Sequence, residues 1–252
     1  MTLGIILVSG SVIALLVMQG VGNVVSFFNQ TPDVIVSQSP TSISAQQLHS
    51  LAQSITVKVF AGNSWASGVL VNRNGTTYGV LTSEHLLLNE KQFRIQTSDG
   101  RFYPARLVDD TKLNSYDLRQ LVFESDSAVY EVASLKPKST LSLNEEVFAA
   151  GFSSEAMAAG STGFVVAPGK ILLLPQKTLR GGYQIGYTNR VEKGMSGGPL
   201  LNARGQLIGI NGMDKYPLWG NPYVFQDGSS PSIEQQEKMR QLSWAIPVKT
   251  PL

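Results

Sequence analysis

Apolar and polar positions alternate in short runs along most of this chain. Ile55, Val57 and Val59 alternate with Thr56 and Lys58, and similar runs recur at Phe93 to Gln96, Phe102 to Leu107, Phe164 to Leu174, Tyr183 to Thr188 and Leu207 to Met213. A period of two puts every second side chain on one face of a pleated strand. Turn residues punctuate the pattern at Asn74-Gly75, Ser98-Asp99-Gly100 and Pro168-Gly169. Helical spacing is confined to residues 44 to 53, where Ala45, Leu48, Leu51 and Ala52 share a face, and to Ser232 to Leu242, where Ile233, Met239 and Leu242 mark an apolar side. Many short strands between Gly, Asn and Asp turns predict an all-β chain built as barrels rather than as a parallel sheet. At 252 residues it has length for one large all-β domain or two packed barrels.

The N-terminus follows another pattern. Residues 1 to 32 carry no charged side chain, and Leu3 to Met18 is almost wholly apolar, with Gly, Ser and polar residues interrupting the run up to Phe28. An N-terminal hydrophobic helix is expected here, with residues 1–28 acting as a signal anchor or signal peptide in or across a membrane. No basic n-region or clear small-x-small cleavage site is present, which favours an uncleaved anchor. The first basic residue is Lys58, so charge gives no orientation. Residues 29–45, rich in Ser, Gln, Thr and Pro, read as a flexible linker, leaving 46–252 as the folded domain.

Composition narrows the chemistry. The formal net charge is +2, so no basic stripe points to nucleic acid. Cysteine is absent, which excludes disulfides, thiolate metal sites, a cysteine nucleophile and a lipidated N-terminal cysteine. Two separated histidines and no clustered acids suggest neither metal nor cofactor.

The informative motif is Gly194-Met195-Ser196-Gly197-Gly198-Pro199-Leu200, in a chain whose only histidines are His49 and His85. A serine hydroxyl is a poor nucleophile until a base takes its proton, so an imidazole must reach it. The motif also fits G-x-S-x-G, but that elbow needs a histidine after the serine, and both histidines precede Ser196. An acid-histidine-serine order would need Asp33, in a polar, Pro-flanked segment. Histidine, aspartate, serine is the order left. His85 ends the β-rich run Tyr78-Gly79-Val80-Leu81-Thr82-Ser83-Glu84-His85, whereas His49 falls on the surface of the first helical segment. Asp117 stands at the start of the strand-like Asp117-Leu118-Arg119-Gln120-Leu121, 32 residues after His85 and 79 before Ser196. Asp109 and Asp110 occupy a polar turn with Thr111 and Lys112 and read as solvated.

Taken in order, these segments resemble the trypsin-fold serine proteases of the chymotrypsin clan, nearest to bacterial Deg/HtrA-type domains. The likeness runs from about Ile55 to Val248 and rests on Ala66-Ser67-Gly68-Val69-Leu70-Val71, Leu81-Thr82-Ser83-Glu84-His85, Asp117-Leu118-Arg119-Gln120-Leu121, Val147 to Phe152, Gly194 to Leu200, Gly205 to Ile210 and Ser243-Trp244-Ala245-Ile246-Pro247. Glu84 departs from the pattern, where a small residue is usual. The resemblance implies two packed six-stranded antiparallel β-barrels and a serine endopeptidase acting on polypeptides. Its triad would be His85, Asp117 and Ser196, with Gly194 and Ser196 N–H groups forming an oxyanion hole. It also implies a primary pocket with Arg190 near its base and Lys193 at its rim, disfavouring cleavage after Arg or Lys, and a substrate-side strand with Ser243, Trp244 and Ala245. No PDZ module is expected beyond Leu252. The expected location is extracytoplasmic, membrane-anchored or secreted, in a bacterial periplasm or cell envelope. The alternatives are an inactive protease-fold binding module tethered to a membrane, or an adaptor that captures peptide by β-augmentation at Ser243 to Pro247.

Overall fold

The structure is a computed structural model that describes residues 42–87, 90–135, 141–215 and 222–248. The hydrophobic segment expected at 1–28 and most of the linker expected at 29–45 lie outside the described residues. Among the described residues, no helix is long and apolar enough to cross a membrane.

Helix α1 (Ala45–Ile55) begins at a capping box: the Ser44 hydroxyl accepts from Gln47 N, and the Gln47 side chain accepts from Ser44 N. These bonds satisfy two orphan donors at the helix start. Leu48, Ala52 and Ile55 are its buried face. The chain is already tied down before the helix, because Ile43 N donates to Ala203 O at 3.1 Å.

Twelve strands then form two closed antiparallel barrels of six. The first contains β1 (Thr56–Ala61), β2 (Ser64–Asn74), β3 (Thr77–Thr82), β4 (Phe93–Gln96), β5 (Phe102–Val108) and β6 (Arg119–Glu124), in the spatial order β1-β2-β3-β6-β5-β4. The second contains β7 (Glu146–Phe152), β8 (Phe164–Leu173), β9 (Ile185–Tyr187), β10 (Pro199–Asn202), β11 (Leu207–Met213) and β12 (Ser243–Pro247), in the order β10-β11-β12-β9-β8-β7. Closure removes the free edges that isolated sheets expose. Val57, Val59, Leu70, Val80, Ile95, Leu121 and Phe123 fill the first barrel. Val147, Ala149, Ile185, Tyr187, Leu200 and Ile208 fill the second. A third cluster, with Val69, Leu81, Leu118, Phe152, Ile210, Met213 and Trp244, draws on strands of both barrels.

Two local expectations change. Pro168-Gly169 does not break the run from Phe164: β8 passes straight through it, because β7 pairs with it there while β9 joins only from Ile171 onward, so the missing proline N–H costs no ladder bond on the β9 side. Helix α3 (Ile233–Arg240) is capped at its N-terminus by Ser232 and buries Met239, but Ile233 in its first turn faces solvent. A short helix, α2 (Ser154–Ala158), carries no apolar period long enough to be read from sequence.

Candidate active site

The nucleophile-loop candidate lies in the second barrel, between β9 and β10, but the first barrel shapes it. Ser67 on β2 makes three contacts across the barrels: its N donates to Ser196 O at 3.1 Å, its Oγ donates to Gly194 O at 2.8 Å and accepts from Phe152 N at 2.8 Å. From behind, Gly197 N donates to Asn211 O at 2.7 Å, and Asn211 N donates to Gly198 O at 2.9 Å. The Asn211 amide is itself satisfied by Ala150 O, Pro199 O and the Tyr187 hydroxyl. Buried polar groups of this kind hold position only when every bond is made.

Gly194 must be glycine. Its φ is +99°, and an added Cβ would lie 2.7 Å from Phe152 O and from the Trp65 ring. The turn points inner amides inward: Met195 N donates to Glu192 O, Gly198 N to Met195 O, and Gly197 N to Asn211 O. Among the described residues, the N–H groups of Gly194 and Ser196 have no protein acceptor. Two unclaimed donors beside one serine suit an oxygen that develops negative charge.

His85 stands just past the end of β3, on a single 3-10 turn over Glu84–Leu86. Asp117 lies two residues before β6, the strand paired with β3, so the ladder itself brings the two residues together. His85 Nδ1 and Asp117 Oδ2 are 2.6 Å apart, and His85 N donates to Asp117 Oδ1 at 2.8 Å. This carboxylate fixes the tautomer with hydrogen on Nδ1, leaving Nε2 as the acceptor. Asp117 is the shielded member, with its side chain 17 % exposed against 40 % for His85. The Ser196 hydroxyl donates to Gly212 O at 3.3 Å.

Glu84 finds its explanation here. Its carboxylate pairs with Arg119 Nη2, and Arg119 Nη1 donates to Leu118 O at 2.9 Å. Glu84 N also donates to Asp117 O at 3.2 Å. The pair therefore staples the histidine turn to the aspartate strand from the residues next to both. Arg119→Ala is expected to destabilise the full chain by about 2 kcal/mol in urea unfolding, because it strands a partly buried carboxylate. A change within a few tenths would show that the pair is idle.

Other expected residues lie elsewhere. Arg190 is 72 % exposed and pairs with Glu155 at 2.7 Å and Glu192 at 3.1 Å, so its charge sits at the surface, neutralised, rather than at a pocket base. Lys193 is exposed. Ser243, Trp244 and Ala245 are fully buried, and β12 is paired with β11 on one flank and β9 on the other. Ser243 Oγ donates to Asn189 O, and Trp244 Nε1 to Met239 O. The structure thus places these three in the barrel wall rather than on the cleft, and leaves β12 no free edge on which to add a peptide. His49 is exposed on α1, edge-on to Phe164, and Asp110 caps a turn by accepting from Lys112 N. Among the described residues, no group of three or more His, Cys, Asp or Glu side chains could hold a metal ion.

Sequence reading missed Tyr183 and Gly212. The Tyr183 phenol donates to Asp117 Oδ2, and an added Cβ on Gly212 would lie 2.5 Å from that phenol oxygen. A glycine inside the strand-like run Leu207 to Met213 was the available signal of such a close approach.

Similar proteins agree with this architecture. The chain is 31 % identical over 159 residues to the mitochondrial serine protease HTRA2 of Drosophila virilis, covering 58 % of this chain and 34 % of that protein. The corresponding protein of Drosophila ananassae is also 31 % identical over 159 residues, with 33 % of its length covered. The chain therefore spans about a third of the curated relatives it matches. Among solved structures, the serine endoprotease from Yersinia pestis superposes with a TM-score of 0.58 at 23 % identity, over 82 % of this chain and 63 % of that one. The HtrA-type protease AlgW with tripeptide gives 0.59 at 23 %, over 82 % and 60 %. The family model for the trypsin-like peptidase domain matches residues 66–210. Its span runs from the strand that buttresses Ser196 to the strand behind it, and the chain belongs to the trypsin-like peptidase domain family.

Proposed function

We propose that this chain is a serine endopeptidase in which Ser196 is the nucleophile, His85 the general base and acid, and Asp117 the group that orients and charge-balances the imidazole. The observation that carries this reading is the double hydrogen bond from His85 to Asp117, which engages Nδ1 and leaves Nε2 as the ring nitrogen to serve Ser196. As Ser196 Oγ attacks a peptide carbonyl, its hydroxyl exchanges Gly212 O for His85 Nε2, which takes the proton. The carbonyl oxygen becomes an oxyanion held by the N–H groups of Gly194 and Ser196. Collapse of the tetrahedral intermediate breaks the C–N bond, and His85 gives its proton to the leaving amine. Water then attacks the acyl-serine ester, losing a proton to His85, and Ser196 is released with the new carboxylate.

A histidine base stops working once it is protonated, so activity is expected to fall on acidification. The same reading places the domain outside the cytoplasm, tethered through residues 1–28, supported by that stretch's lack of charge and its apolar run. The test is to incubate the full chain in detergent with a fluorophosphonate probe and map the adduct. Labelling on Ser196, abolished by Ser196→Ala and by His85→Ala, is the expected result. A chain that folds but never labels is not a competent serine hydrolase, and the reading falls.

A further inference from the structure

Asp117 Oδ2 accepts two hydrogen bonds, one from His85 Nδ1 and one from the phenol of Tyr183. Tyr183 reaches Asp117 from the other barrel, on the segment just before β9. That segment is locked to the aspartate strand: Asp117 N donates to Gly181 O at 2.8 Å, and a side chain on Gly182 would collide with the Tyr116 ring at 2.1 Å. On its far side the phenol rests against Gly212, whose carbonyl accepts the Ser196 hydroxyl. One buried side chain therefore touches both Asp117 and the residue on which Ser196 rests. Burial first, and then the Asp117 charge, push the Tyr183 phenol well above its ordinary pKa, so it stays a donor at any working pH.

We infer that Tyr183 is a positioning residue for the Asp117–His85 pair, sharing Oδ2 with the imidazole and thereby limiting how strongly Asp117 holds the protonated ring. This rests on the triad roles proposed above. A carboxylate oxygen that serves a second donor has part of its charge satisfied, so it attracts the imidazolium less. Deleting the phenol hydroxyl leaves that charge to His85 alone, and the imidazole becomes more basic. The other ionisable groups packed around the pair are Glu84 and Arg119, bound to each other beside His85, the neighbouring Tyr116, and the buried Tyr187, whose phenol is engaged by Asn211. All are retained in a Tyr183→Phe chain.

The experiment is a histidine NMR titration of the full chain carrying Ser196→Ala, with and without Tyr183→Phe. With two histidines in the chain, exposed His49 is the internal reference. His85 is expected to titrate roughly half to one pH unit higher in the Tyr183→Phe chain, with His49 unmoved. In the active chain, the acid limb of the Tyr183→Phe pH profile should rise by the same shift. Gly212→Ala, which keeps the tyrosine but pushes its hydroxyl aside, should move His85 in the same direction; it keeps the test alive if Tyr183→Phe does not fold. A Tyr183→Phe/Gly212→Ser chain opens the phenol's space to a hydroxyl built on the Cβ that points there, and both effects should recede. An unchanged or lowered His85 titration in a folded variant overturns the inference. The titration needs no turnover, so failure of Ser196 to label would sink the proposed activity without deciding this result.

Discussion

Replacing Ser196 or His85 by alanine is expected to lower kcat for peptide hydrolysis by about a millionfold, and replacing both is expected to lower it little further. On the proposed mechanism the nucleophile and its base act as one unit: without Nε2 the hydroxyl keeps its proton, and without the hydroxyl the imidazole has nothing to activate. Asp117→Asn should cost about ten thousandfold, because an amide that donates to Nδ1 turns the imidazole to the tautomer whose Nε2 is already protonated. What survives in each variant is binding plus the Gly194 and Ser196 amides, which no side-chain substitution removes. Steady-state rates on a denatured polypeptide, with the amount of folded chain fixed by circular dichroism, measure all four. Losses that add on a logarithmic scale, instead of saturating, would mean that Ser196 and His85 do not work together.

Gly197→Ala should destabilise the chain by about 3 to 5 kcal/mol, lowering Tm by roughly 10 °C. Two costs combine. Gly197 has φ +82°, a conformation that charges alanine about 1 kcal/mol. Its new methyl would also lie 2.1 Å from Ser67 O, 2.5 Å from Thr82 Oγ1 and 3.0 Å from Ser83 N. Two of these are backbone atoms in or beside strands that lead to His85, and they cannot step aside as a long side chain would. Gly100→Ala separates the two costs, since Gly100 has φ +84° and nothing within 4 Å of the added atom. It should lose only the backbone part, about 1 kcal/mol. Equal losses at the two positions would show that the barrels do not press on the nucleophile loop as described. Any Gly197→Ala chain that folds should also lose at least about a hundredfold in kcat, since a shift near 1 Å at Ser196 is enough.

The strands were legible because a half-buried strand needs alternation, and the runs at Phe93, Phe102 and Leu207 became β4, β5 and β11 close to their expected bounds. Ser196, His85 and Asp117 could be named as candidates for a similar reason: each sits in a local context of glycines or at a strand end that chemistry restricts. Contacts between barrels were not legible. Ser67 was part of a quoted motif, yet that it holds Gly194 O and Phe152 N depends on partners 127 and 85 positions away along the chain. Arg190 shows the opposite failure. Its place before Ser196 suggested a pocket base, but the guanidinium follows the nearest carboxylates, Glu155 and Glu192, out to solvent.

The sequence by itself determined the all-β class and the absence of thiol chemistry, and it narrowed the candidates to His85, Asp117 and Ser196, because composition and period act within a few residues of chain. Tertiary structure alone decided that Tyr183 stands on Asp117, that Glu84 is answered by Arg119, and that Ser243, Trp244 and Ala245 belong to a wall and not to a cleft. A side chain's partner is set by which strands pair and how the barrels close, and those distances are written nowhere in the local pattern.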